Sequence, residues 1–272
     1  MTSGDYDFLS NFLQQSSGLA LGTGKDYLLE ARLVPLAQSW GLPDFDQLIK
    51  ELRKGKDARL SAAVTEAMTT NETSFFRDKS PFEDLKNFIL PALMEARGVS
   101  KKLRIWCAAA STGQEPYSVL MLLDEAFPQL SGWSIDFIAT DISQAMLDRA
   151  REGEYSQFEI QRGLPIQSLV KNFTQTPRGW QVKEGLRKRV DYRKLNLLDE
   201  FGQLGQFDLI MCRNVLIYFD TPTKTDILNR MHRIVRKDGY LMLGAAETVL
   251  GLTDNFVRFK GSVSATYAPS GK

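Results

Sequence analysis

From Tyr6 to about Arg97, apolar residues recur three and four apart, the spacing of one buried helix face. Residues 6–15, 26–40, 45–53 and 58–68 carry the pattern, and Gly18, Gly41-Leu-Pro43 and Gly55 separate them. A small all-helical domain is expected over residues 1–80, with a longer helix from Pro81 to Ala96 as a linker within 81–100. From Leu103 onward short apolar runs alternate with helical segments. Strands are predicted at 103–107, 135–140, 190–194, 207–212 and 240–243, with 264–267 as the last. This alternation predicts an α/β Rossmann-like domain over 101–272, with helices on both faces of a mainly parallel sheet. Between Tyr155 and Val190, Gly163, Pro165, Pro177 and Gly179 interrupt the pattern and Trp180-Gln-Val182 alternates. A small antiparallel β insertion is expected there, over 155–190.

Composition changes this picture little. A chain of 272 residues with 43% apolar and 25% charged residues is an ordinary globular protein of one or two domains. A net charge of +1 argues against nucleic-acid or membrane binding by the whole surface. Local patches are not excluded, and the run from Lys50 to Lys56, continuing to Arg59, is one; most such runs are solvated faces. The two cysteines, Cys107 and Cys212, end apolar runs, as buried free thiols do in a reducing compartment. No apolar run is long enough to span a membrane and Met1–Asp7 does not resemble a secretory leader, so a cytoplasmic location is expected.

Candidate chemistry begins at Ile105-Trp-Cys-Ala-Ala-Ala-Ser-Thr-Gly-Gln-Glu-Pro-Tyr-Ser118, an apolar strand running through small residues into a helix. Small side chains up to Gly113 suit close approach of a nucleotide-like cofactor, and Glu115 and Pro116 suit the first helical turn. Three-glycine dinucleotide spacing is missing, which argues against a dehydrogenase. An acid at the helix start favours a cationic or hydroxyl-bearing ligand over a bare pyrophosphate, and a sulfonium cofactor fits better than NAD. Asp141 follows the second strand, where a carboxylate accepts ribose hydroxyls, the alternative being a helix cap made by Asp141 or by Ser143. Asn196-Leu-Leu-Asp199 either borders an adenine or is a polar loop. Arg213 and Asn214 directly follow a buried strand and so reach the rim of a cleft. Tyr218 either adds a hydroxyl there or packs its ring in the core. Asn71-Glu-Thr-Ser-Phe-Phe-Arg-Asp78 is either a lid with polar contacts or a helix cap followed by an interdomain hydrophobic staple. One histidine, His232, is expected on a helix surface, and no metal-binding cluster is visible.

Five motifs in order, Asn71 to Arg77, Ala108 to Ser118, Ala139-Thr-Asp-Ile-Ser143, Cys212-Arg-Asn-Val-Leu-Ile-Tyr-Phe-Asp220 and Gly239-Tyr-Leu-Met-Leu-Gly244, resemble the CheR-type chemotaxis receptor glutamate methyltransferases. The resemblance implies methyl transfer from S-adenosylmethionine to glutamates on chemoreceptor cytoplasmic helices, leaving S-adenosylhomocysteine. It places Asn71, Thr73, Arg77, Glu115 and Asp141 on the cofactor, with Asn196, Leu197, Arg213 and Asn214 completing the pocket. Arg213 and Tyr218 would face the reacting groups, the first orienting the glutamate. The helical domain would dock the receptor, with Arg53 and Lys54 in its basic patch, and the β insertion would hold a receptor carboxyl-terminal peptide. A monomer is the default expectation. Two alternatives are a methyltransferase acting on another acceptor, such as RNA or a small molecule, and a noncatalytic S-adenosylmethionine-binding receptor adaptor.

Overall fold

The computed structural model describes residues 2–22 and 24–271. They form two compact units, one made of the described residues up to Thr70 with Tyr218–Thr223, the other of Asn71–Ile217 with the described residues from Lys224.

The first unit is built on four helices, α1 (Ser3–Ser17), α2 (Asp26–Ser39), α3 (Phe45–Lys54) and α4 (Ala58–Met68). Their ends follow from local chemistry. Thr2 and Asp5 form a capping box on α1, Asp44 and Asp57 cap α3 and α4, and Gly18 and Gly55 end α1 and α3 in the left-handed conformation. Leu9, Leu13, Leu29, Leu33, Leu48, Ile49, Leu52, Leu60 and Val64 are buried together as this unit's own core. Arg32 closes the carboxyl end of α4 by donating to the Met68 and Thr69 carbonyls at 2.7 and 2.9 Å. In the basic run, Arg53 is committed to Asp5, to the Gly4 carbonyl and to the Phe8 ring, and Lys54 to Glu51.

The second unit opens with α5 (Ser80–Asp84), a π-turn over Leu85–Ile89 and α6 (Leu90–Ala96) in place of one regular linker helix. Pro91 explains the irregular turn. It has no N–H to continue the ladder, and the N–H of Leu90 reaches back to Leu85 instead. Then follow β1 (Lys102–Ala108), α7 (Gln114–Ala126), β2 (Ser134–Asp141) and α8 (Gln144–Glu152). The insertion contains β3 (Glu154–Tyr155), α9 (Gln157–Gln161), α10 (Ile166–Asn172), β4 (Phe173–Thr176), β5 (Gly179–Val182) and α11 (Glu184–Arg187). It is antiparallel and three-stranded, in the order β3-β5-β4. The chain continues through β6 (Val190–Lys194), β7 (Phe207–Cys212), α12 (Thr221–Ile234), β8 (Val235–Leu243), β9 (Phe256–Arg258) and β10 (Thr266–Pro269).

The main sheet has the order β6-β2-β1-β7-β8-β10-β9; β6 through β8 are parallel, and β10 is antiparallel to both its neighbours. Chain order reverses between β1 and β7, the switch point at which open α/β sheets bind ligands. Ala108 lies opposite Thr140 on one side and Cys212 on the other, so the loops after β1, β2 and β7 leave the sheet at one level. At the amino ends of the strands the charges pair with one another: Arg97 reaches Asp208 at 2.8 Å and Asp238 at 2.6 Å, and Arg104 reaches Asp136 at 2.6 Å.

Candidate active site

Among the described residues, seven non-glycine positions have positive φ, and six of them lie in two sheet loops and the segment 71–79: Ala109, Ser111, Asn214, Phe76, Asp78 and Lys79. Side chains at such φ values strain the backbone, and the strain persists only where the surroundings hold it. Here they do. Ser111 donates its hydroxyl to the Asn71 carbonyl at 2.8 Å, and the Phe76 N–H donates to the Ser118 hydroxyl at 3.0 Å. Phe75 is fully buried and lies edge-on to Tyr155 and Phe173, with ring centroids 5.0 and 5.6 Å away. Segment 71–79 is thus strapped over the start of α7, with Phe75 driven into the insertion.

Arg213 is the centre of the polar network. Its side chain is 1% exposed; one terminal nitrogen donates to the Glu115 carboxylate, the other to Asp78 and to the Arg77 carbonyl, both at 2.9 Å. Glu115 also accepts from the Cys107 thiol at 3.2 Å, and burial, with Glu115 beside it, pushes that thiol's pKa well up. A buried guanidinium shared by two carboxylates fixes orientation more than it adds stability. Its Nε is buried with no hydrogen-bond partner among the described residues.

Asp141 binds two loops together, accepting from the Ser111 N–H at 2.8 Å and the Ser143 N–H at 2.9 Å. The helix cap that the sequence left open between Asp141 and Ser143 is made by Ser143, whose hydroxyl accepts from the Met146 N–H. Gly113 has φ +91, and a Cβ there would stand 2.8 Å from the Tyr192 hydroxyl and 2.9 Å from Ala150 Cβ. The neighbouring helix and strand therefore demand glycine, whatever approaches the loop. Asn196 makes a local turn by accepting from the Leu198 N–H, and Arg230 on α12 pins the loop through the Leu197 and Asp199 carbonyls, each at 2.7 Å. Thr73 and Arg77 are half-buried in the strap, and Arg77 donates to the Glu72 carbonyl.

Tyr218 groups with the other compact unit, where its carbonyl accepts from the Ala20 N–H at 2.9 Å and Phe219 bridges to Leu19. His232 is half-buried on α12, edge-on to Phe256 at 5.4 Å, rather than on the free surface. Two residues of the network have no role of their own in the sequence reading: Asp78, the last residue of the segment read as a lid, and Glu247, which lies 33 positions beyond Asn214, the amide it accepts from.

The side chains carry a negative surplus: Asp78, Glu115 and Asp141 against Arg77 and Arg213. Such a set fits a cation that also presents hydroxyl donors and suits a pyrophosphate poorly. Residues 71–265 match the family described as CheR methyltransferase, SAM binding domain, and residues 4–69 match the CheR methyltransferase all-alpha domain. The chain belongs to the CheR methyltransferase family.

Relatives of this family cover nearly the whole chain. The sequence is 41% identical to chemotaxis protein methyltransferase 1 of Pseudomonas aeruginosa, over 97% of each chain. It is 40% identical to chemotaxis protein methyltransferase Cher2 of Pseudomonas putida, over 98% of this chain and 99% of that one. It is 39% identical to the chemotaxis protein methyltransferase of Vibrio parahaemolyticus, over 93% and 92%. S-adenosylmethionine is the cofactor of the matched CheR domain.

Proposed function

We propose that this chain transfers methyl groups from S-adenosylmethionine to glutamate side chains on the cytoplasmic helices of chemoreceptors, forming methyl esters, and that it acts in the cytoplasm as a monomer. Its CheR membership and the names of its relatives support a role in chemotaxis. The observation that carries the chemistry is Arg213, buried at the end of β7 and fixed between Glu115 and Asp78.

A glutamate carboxylate has an ordinary pKa of about 4.3, so it is ionised at neutral pH and no base has to remove a proton. The bound cofactor supplies a sulfonium methyl, and the carboxylate oxygen bonds to that carbon as the carbon–sulfur bond breaks and its electron pair passes to sulfur. What remains for the protein is alignment and exclusion of water. Glu115 and Asp141 hold the cationic, hydroxyl-bearing ligand, with Asn71, Thr73 and Arg77 from the strap, the loop ending at Gly113, Asn196 and Leu197 after β6, and Arg213 and Asn214 after β7. Arg213 orients the acceptor carboxylate from the end of β7. Because two carboxylates already share the charge of Arg213, the incoming glutamate is held loosely enough to remain nucleophilic. The helical unit docks the receptor, and the three-stranded insertion receives a receptor carboxyl-terminal peptide.

Calorimetric titration with S-adenosylmethionine and S-adenosylhomocysteine, followed by tritium-methyl transfer to receptor cytoplasmic fragments, tests this reading. Binding with base-labile label is expected. Binding without label points to another acceptor or to an adaptor, and no binding of either ligand overturns the cofactor assignment.

A further inference from the structure

Backbone amides that converge on one point form a cradle for an anion. Four converge where β7 and β8 end. The N–H groups of Asn214 and Gly244 donate to one Glu247 carboxylate oxygen at 2.8 and 2.6 Å, and those of Val215 and Ile217 donate to the other at 2.9 and 3.3 Å. Glu247 is 7% exposed, so the charge is held inside the protein and offset by these donors. Gly244 makes the approach possible: a Cβ there would stand 2.7 Å from both Asn214 Nδ2 and Glu247 Oε2. Asn214 itself has φ +59, a conformation held in place from outside the residue.

We propose that Glu247 is a positioning residue for methyl transfer: it fixes the 213–217 backbone, so that Arg213 and Asn214 keep one geometry at the end of β7. The proposal rests on the methyltransferase reading. Arg213 is anchored twice, by Glu115 and Asp78 at its guanidinium and by Glu247 at the peptide that follows it. The carboxylate is hard to replace. A glutamine offers one acceptor oxygen and turns its amide N–H groups toward backbone donors, leaving half the cradle without an acceptor.

The test compares Glu247→Gln with Glu247→Asp and with Asp208→Asn. Asp208 is also a buried carboxylate that accepts a backbone N–H, from Arg104 at 2.7 Å, but it lies at the amino end of β7. In cofactor-free protein, Glu247→Gln is expected to speed hydrogen exchange at Asn214, Val215, Ile217 and Gly244, whereas Asp208→Asn leaves those amides protected. At saturating cofactor, kcat of Glu247→Gln falls by about 100-fold with a smaller change in KM, the loss expected when a reacting geometry moves by about 1 Å. Glu247→Asp, which keeps the charge, recovers part of it and also serves if the glutamine variant does not fold. Unchanged protection at the four amides, or a kcat loss matched by Asp208→Asn at equal folded fraction, overturns the proposal. Failure of the wild-type protein to bind S-adenosylhomocysteine overturns the methyltransferase reading instead, and the exchange measurement still decides whether Glu247 sets the loop.

Discussion

At the scale of single residues, the site depends on charges that cannot be removed one at a time. Arg213→Ala leaves Glu115, 14% exposed, without its cation. Breaking a buried pair in this way costs about 3–5 kcal/mol, most of it from the charge left behind. The expected outcome is a clear drop in melting temperature together with loss of S-adenosylhomocysteine binding by calorimetry; a variant with normal turnover would remove Arg213 from the chemistry. Arg213 was legible in the sequence because it stands directly after a strand whose residues are all apolar except Asp208. Its partners were legible only in part. Glu115 is marked by its place in a helix's first turn, but little local distinguishes Glu247, which holds the peptide after Arg213, because three of its four partners lie about 30 positions upstream and meet it only when β7 pairs with β8.

At the scale of elements, the periodic segments were legible and the short ones were not. The helix α4 and the strands β6 and β7 fall on the residues their patterns predict, whereas β9 and the helices α9 and α10 did not stand out. Elements this short draw their stability from tertiary packing, which a local pattern does not record. The amino-terminal half of β8 was hidden by Arg236, Lys237 and Asp238, which suit this strand because ion pairs cluster at the amino ends of the strands. Packing also couples elements that look independent. The Tyr155 hydroxyl on β3 donates to the Thr112 carbonyl in the loop after β1 at 2.6 Å, and a Cβ on Gly163 would stand 2.1 Å from the Phe75 carbonyl. Gly163→Ala therefore displaces the strap from outside the pocket. Calorimetry should show S-adenosylhomocysteine binding weakened by about tenfold, or about 1.4 kcal/mol; wild-type affinity would separate the strap from the pocket. The commitments of Arg53 and Lys54 move the docking test to the exposed Lys50 on α3 and Lys56 just after it. Reversing both charges is expected to raise KM for receptor fragments at low salt and leave kcat unchanged, with the difference fading as salt is added. An unchanged KM would sink electrostatic docking by this helix.

For the whole molecule, the buried acids of the sheet unit set an alkaline limit on stability. Burial pushes the thiols of Cys107 and Cys212 and the phenols of Tyr155 and Tyr192 well up, and it pushes Tyr117 from 10.0 to about 12. Two of these phenols must stay protonated for their hydrogen bonds, Tyr155 to the Thr112 carbonyl and Tyr117 to the Ala150 carbonyl. In the unfolded chain the thiols release their protons near 9.0 and the phenols near 10.0, while the folded protein retains them. The folded state then binds more protons than the unfolded one, so stability falls as pH rises. The full contribution is present below about pH 8.5, and above it each retained proton removes about 1.4 kcal/mol per pH unit. These groups sit on β1, α7, β3, β6 and β7, so the loss strikes main sheet and insertion together and should appear as one cooperative transition. Urea unfolding at pH 7, 8 and 10.5 checks this: the midpoint should hold between the first two and drop steeply at the third, and Tyr155→Phe should lower that final slope by one group's share. A midpoint that stays flat to pH 10.5 would mean that the folded sheet unit lets these protons go as easily as the open chain does.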